Sequence, residues 1–248
     1  MGRKRRIWFC LALGLGVFIP GFGLSCPTLQ LDIEGGWYNM SSTSGQTEDT
    51  IVANSYSFEL YAFLIPNDSN TLDDTYYLSA ALVPKPEPNV DLGYFTFDSR
   101  TVNVTSDMYF GVPPLEENLG FDSGDLQKHG IFETYFIEFG FQFDWSKDIA
   151  PYNTQQRAQS GGAISTYGSG MYYRVFQVDV SGLAPGYLIH FDLYKASRLS
   201  DGDIEVSEFA PFSHDAESPL RRVPEPSTIV LLGGGLFSLA MVRRKMRN

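Results

Sequence analysis

Residues 131–145 read IFETYFIEFGFQFDW, and their alternation decides the fold class. Tyr135, Ile137, Phe139, Phe141 and Phe143 fall on one face, and Thr134, Glu138, Gln142 and Asp144 on the other. Period-two alternation with an aromatic face marks a strand that lays one side on a core. A strand of this length would reach about 50 Å, too far for one flat element, so Gly140 reads as a bulge or bend.

The same alternation recurs on either side. Leu29, Leu31 and Ile33 alternate and stop at Gly35 and Gly36. Phe58, Leu60, Ala62 and Leu64 alternate with Ser57, Glu59, Tyr61 and Phe63 until Pro66. Residues 76–83 are apolar on both faces, as a central strand should be, and Pro84, Pro86 and Pro88 end them. Residues 94–97 and 101–105 read as a short hairpin pair, and 113–128 as an irregular acidic loop. Residues 148–170 form a Gly-, Gln- and Ser-rich loop. Phe176, Val178 and Val180 point inward in the next strand; in the last, Tyr187, Ile189, Phe191 and Leu193 face in, while His190 and Asp192 face out. No stretch between 26 and 215 carries a sustained apolar stripe at helical spacing. Strand after strand with Gly and Pro turns predicts an all-β, antiparallel β-sandwich of jelly-roll or Ig-like type.

Composition narrows the class further. The chain has a net charge of −11, but residues 27–215 hold 27 acidic against 8 basic side chains, a balance of −19. Such a surface repels nucleic acid and anionic headgroups and suits solubility outside the cell. Fourteen Tyr and 19 Phe argue against disorder. Only Cys10 and Cys26 are present. Cys10 falls in the expected leader, so packing rather than a disulfide must stabilise the exported part.

The two ends are of a different kind. Arg3, Lys4, Arg5 and Arg6 precede an apolar run at 7–19, and Gly23 and Ser25 place small residues before a cut at Cys26. This is the pattern of a secretory signal peptide over 1–25. Cys26 also raises a lipidated N-terminus, but Gly23 stands where a lipobox carries a large aliphatic residue. At the other end Val223 leads into Pro224, Glu225 and Pro226, followed by an uncharged run at 228–242 and then Arg243, Arg244, Lys245 and Arg247. As a C-terminal transmembrane helix this run would span roughly 22 Å, short of the ~30 Å hydrocarbon core, so flanking cations must snorkel or the bilayer must thin. The basic end should stay cytoplasmic. The prolines make a stiff, exposed strip at the membrane surface. The chain thus divides into a signal peptide at 1–25, an extracytoplasmic β domain at 26–215, a linker at 216–222 and a tail at 223–248.

The tail resembles the PEP-CTERM sorting signal of Gram-negative bacteria, with motif, short span and basic end in order. The resemblance implies recognition of Pro224, Glu225 and Pro226 by an exosortase, a membrane cysteine transpeptidase-like enzyme. It further implies processing near that motif and release to the cell surface or exopolysaccharide. The β domain is also similar to the choice-of-anchor N family at residues 29–36 (LQLDIEGG), 58–62 (FELYA), 76–84 (YYLSAALVP), 190–194 (HFDLY) and 209–216 (FAPFSHDA). That family is defined by one extracellular domain with an interchangeable anchor, and the likeness implies no chemistry.

No catalytic constellation emerges from the sequence. Ser213, His214 and Asp215 are adjacent, whereas a triad needs side chains converging from separate segments, so they read as a turn before the linker. His190 and Asp192 share a strand face and could begin a metal site, but with no third ligand in view they read as a solvated pair. Asp201, Asp203 and Glu205, with Glu208 following, form an acidic turn around Gly202 that offers oxygens to Ca²⁺. They depart from the EF-hand loop, and an exposed acidic loop is the better account of them. Many carboxylates are present, but nothing selects the spaced pair a glycosidase requires. Trp37, Trp145 and the tyrosines could stack on sugars, though core packing accounts for most of them. The sequence therefore points to an exported, exosortase-processed surface or matrix protein without enzymatic activity or cofactor. A carbohydrate-binding or Ca²⁺-dependent adhesion module is the alternative, and a secreted hydrolase the remote one.

Overall fold

The computed structural model describes residues 26–40, 49–87, 90–111, 133–198 and 204–222. Among them two sheets pack face to face. The first contains β1 (Leu29–Ile33), β4 (Ser57–Leu64), β6 (Tyr94–Phe97), β7 (Arg100–Asn103), β10 (Asp148–Ile149) and β11 (Met171–Asp179). Their order is β1-β4-β11-β6-β7, with β10 also on β11. The second contains β2 (Trp37–Asn39), β3 (Thr50–Val52), β5 (Tyr76–Val83), β8 (Tyr109–Gly111), β9 (Thr134–Phe141), β12 (Leu188–Arg198), β13 (Ile204–Phe209) and β14 (Ala216–Glu217). Their order is β2-β3-β14-β12-β5-β9-β8, with β13 also on β12. Pairing is antiparallel except between β14 and β3, which run parallel.

The expected alternation lays one face of each sheet on a common core. Leu29, Leu31, Ile33, Leu60, Leu64 and Val178 meet Tyr76, Leu78, Leu82, Ile189, Phe191 and Leu193, all essentially without solvent contact. Aromatic rings bridge the sheets: Phe58 meets Phe191 edge-on at 6.3 Å, Phe97 stacks on Phe139 at 3.9 Å, and Phe141 meets Phe176 at 5.1 Å. Each buried Leu or Phe contributes about 1.5–3 kcal/mol, so this interior, with no disulfide, is what holds the two layers. β5 is central, between β12 and β9, as its doubly apolar sequence requires.

Several expectations are corrected. Gly140 makes no bulge: β9 keeps a regular register with β5, Gly140 opposite Tyr77, and ends at Phe141. The length problem is solved by a turn at 144–147, where Ser146 N donates to Asp144 Oδ1 at 2.9 Å. The Gly/Gln/Ser-rich loop contains β10 and a helix, α2 (Thr154–Ser160), besides the single turn α1 (Val104–Asp107) of the hairpin region. Asn153 caps α2 by accepting from Gln156 N at 3.0 Å, and Gly161 at φ 69° closes it in the left-handed conformation glycine tolerates. Too short to show an apolar stripe, α2 is held by tertiary contacts. β1 is buried on both faces. Its Gln30 and Asp32 lie under the α2 region, where Arg157 clamps Asp32 through Nε at 2.9 Å and through Nη2. Beside them Phe63, Ile149 and Met171 form a second apolar cluster. Trp37 and Trp145 are exposed rather than core.

The boundary at 215 also moves. Ala216 and Glu217 are a buried strand wedged between β3 and β12, Ser218 N donates to Ile189 O at 2.9 Å, and Arg221 N donates to Tyr187 O at 2.9 Å. The first two residues of the expected linker at 216–222 are therefore a strand of the sheet, and Ser218 and Arg221 are tied back by backbone hydrogen bonds. Among the described residues no helix is long and apolar enough to cross a membrane. The expected signal peptide at 1–25, the tail at 223–248 and the expected acidic loop at 113–128 lie outside them.

Candidate functional site

β12 shares one edge between two partners, and that division builds a polar site. β14 pairs with His190 and Phe191, whereas β13 pairs with Tyr194 onward. Between them the chain leaves the ladder: Ala210 N still donates to Leu193 O at 2.8 Å, and a 3-10 turn at Phe212–His214 then turns it back into β14. This detour brings Asp215 and Glu217 to the outward residues of β12.

His190 lies at the centre. Its Nδ1 is 3.1 Å from Glu217 Oε1, its Nε2 is 3.2 Å from Asp192 Oδ1, and Nε2 is 4.0 Å from Asp215 Oδ2. The four residues are 0–8 % exposed, so the expected solvated pair of His190 and Asp192 is corrected to a buried cluster. Donor atoms of His190, Asp192 and Asp215 all lie within 4.8 Å of one another. Ser79 stands opposite Asp192 in the β5–β12 register, and Glu138 opposite Ser79 in β9. Ser79 is wholly buried, and its Oγ has no hydrogen-bond partner among the described residues. Tyr194, one step along the same face, donates its hydroxyl to Glu138.

Electrostatics follow from this crowding. Burial by itself disfavours the imidazolium of His190, but Asp192 and Glu217 outweigh it and hold the pKa well above the ordinary value. With both ring nitrogens facing carboxylates, the imidazolium donates from each. His214, two residues beyond Phe212, behaves oppositely: burial pushes its pKa down to about 4. Its Nδ1 lies 2.8 Å from Ser213 Oγ, while Asp215 turns toward His190, so the adjacent residues form no triad. Tyr194 is raised well above its ordinary range, first by burial and then by Glu138.

The acidic turn is only partly in view. Asp201 and Asp203 and the side chain of Glu205 lie outside the described residues; the backbone of Glu205 pairs with Ser197. Glu208 is engaged elsewhere, accepting from Asn70 Nδ2 at 3.0 Å. Pro224, Glu225, Pro226, Arg243, Arg244, Lys245 and Arg247 likewise lie outside. The sequence missed Asp215 and Glu217 as partners of His190. The one available signal was the density of titratable side chains at 190–192 and 214–217, two segments far apart in the chain.

Comparison with known proteins bears on the tail. Residues 222–245 match the family described as the PEP-CTERM protein-sorting motif. No curated protein and no solved structure matches the chain. The motif marks an exosortase-sorted extracellular protein that is exported and held at the membrane as a precursor.

Proposed function

We propose that this is a non-enzymatic surface or matrix protein of a Gram-negative bacterium, whose β-sandwich is freed from the membrane by cleavage near Pro224, Glu225 and Pro226. The observation that carries this reading is the sorting motif at 222–245. A rigid proline-bracketed strip before a short apolar run and a basic stop gives an enzyme at the bilayer surface an extended substrate. The resemblance to the choice-of-anchor N family, one extracellular domain on an exchangeable anchor, supports the same division of labour. The acidic surface suits a protein that works outside the cell. Replacing Pro224, Glu225 and Pro226 with alanine tests it. On a blot of cell fractions the variant should accumulate as a full-length, membrane-held form. Normal processing of the variant would refute the reading.

A second reading, a carbohydrate-binding module, draws support from exposed aromatics. Trp145 is 64 % and Tyr167 83 % exposed, and Trp37 is also open to solvent. Flat rings in water are what sugar faces stack on, and extracellular polysaccharide is the partner such a module would take. Asp201, Asp203 and Glu205 remain the proposed Ca²⁺ ligands of this reading. Glycan-array binding that falls on Trp145→Ala and on calcium removal supports it; no glycan retained by the wild type refutes it.

A further inference from the structure

We infer that His190, Asp192 and Asp215 bind a small divalent cation of the zinc type, with Glu217 orienting the imidazole and Ser79 hydrogen-bonding a water at the remaining coordination position. The inference is independent of the sorting tail.

Ligands about 2.0–2.1 Å from a tetrahedral Zn²⁺ lie about 3.3 Å from one another. Nε2 of His190 is 3.2 Å from Asp192 Oδ1 and 4.0 Å from Asp215 Oδ2. Shortening the second distance by 0.8 Å brings it to the first, and donor atoms of all three residues already lie within 4.8 Å of one another. The ligands come from two firmly paired places, β12 and the turn into β14, so the site is held by the sheet.

Metal-bound histidines generally donate their other N–H to a carboxylate, which fixes the tautomer and strengthens the ligand. Glu217 Oε1, 3.1 Å from Nδ1, occupies that place. The lone pair of Nε2 is then free for a metal once its proton leaves. Three carboxyl groups face the one imidazole. A divalent ion entering here gains strong attraction in a poorly hydrated setting.

The buried hydroxyl of Ser79 lacks a hydrogen-bond partner among the described residues, and Ser79 stands across the register from Asp192. A water on the fourth position of a three-ligand zinc site would supply that partner. The choice of metal follows from the donors. One imidazole nitrogen with two carboxylate oxygens suits Zn²⁺, while Ca²⁺ takes six to eight oxygens.

The test uses the full-length chain, without a polyhistidine tag, purified in detergent and stripped with EDTA. It is then equilibrated with Zn²⁺, or with Ca²⁺ or Mg²⁺ in parallel, and dialysed against metal-free buffer. Atomic emission should find one Zn²⁺ per chain and neither of the other ions, and Zn²⁺ should raise the melting temperature. His190→Gln and Asp215→Asn should weaken Zn²⁺ at least 100-fold against a chromophoric chelator, and Glu217→Gln 10- to 100-fold. Far-UV circular dichroism in EDTA establishes that the variants fold. Should they not fold, the zinc-edge absorption spectrum of the wild type decides, with one imidazole and the remainder oxygen expected near 2.0 Å. A wild type that releases all Zn²⁺ on dialysis, folded variants that keep it, or a spectrum without imidazole would each overturn the inference.

Discussion

Arg157→Met should be among the most damaging single changes outside the apolar core. Asp32 has no solvent exposure and Arg157 is 7 % exposed. The guanidinium gives two hydrogen bonds to Asp32 and one each to the carbonyls of Ile33 at 3.0 Å, Gly162 at 3.2 Å and Gly36 at 3.3 Å. Burial lowers its pKa only to about 10, so it is charged at neutral pH. Methionine fills the same space but leaves three carbonyls short of a donor and a carboxylate with only Tyr152 Oη, at 2.9 Å, and its neighbour Ile33 N. Breaking a buried pair from one side costs about 3–5 kcal/mol. For a domain of this size that lowers the melting temperature by about 10 °C. Lys85→Met is the control, because its pair with Glu133 at 3.4 Å is more than half exposed on both sides and should be worth less than about 1 kcal/mol. Asp32→Leu combined with Arg157→Met should recover much of the loss, since apolar replacement of a whole buried pair is often neutral. Thermal melts and urea titrations of the four proteins measure all of this. A loss for Arg157→Met no larger than that for Lys85→Met would show that α2 is not fastened through this pair.

Phe191→Ala should cost about 3–5 kcal/mol in urea titrations, because the ring is wholly buried and links the two sheets through Phe58. Gly93→Ala should destabilise by more than 1 kcal/mol: Gly93 sits at φ 77°, and a Cβ there would run into the Gly182 carbonyl and lie 3.0 Å from Ala184 N. His214 sets an acid limit. Its folded pKa, near 4, is below the unfolded 6.5, so the unfolded chain binds the extra proton between those values. Stability should fall by up to about 3 kcal/mol as pH drops from 6.5 to 4, and His214→Asn, melted in EDTA alongside the wild type, should flatten that decline. Deleting 243–247 should impair retention of the precursor at the membrane, seen as a changed distribution between cell fractions.

Alternation served the sequence reading well wherever one face met the core. β4, β11 and β12 all followed it, because apolar side chains at period two have only one side on which to hide. It failed where a face was covered by something local. Gln30 and Asp32 stand on the face of β1 opposite Leu29, Leu31 and Ile33, yet α2 and Tyr152 lie over them, and seven residues without an apolar stripe gave no sign of a helix. His190 and Asp192 looked wet for the same reason. What buries them includes a return of the chain through residues 210–218, and that segment read as a turn and linker because only two of its residues pair as a strand. Charge on an outward position reports the face, and whether water reaches that face depends on connections no periodicity encodes. The tail was readable without structure, since its motif, apolar run and basic end are contiguous in sequence.

The C-terminus of the protein recovered from outside the cell is the most direct measure of the account. Mass spectrometry of that material should give a chain ending close to Pro224, Glu225 and Pro226, with the apolar run and basic end absent, and the shortened form should vanish from cells lacking exosortase. External protein still ending at Asn248 would contradict it.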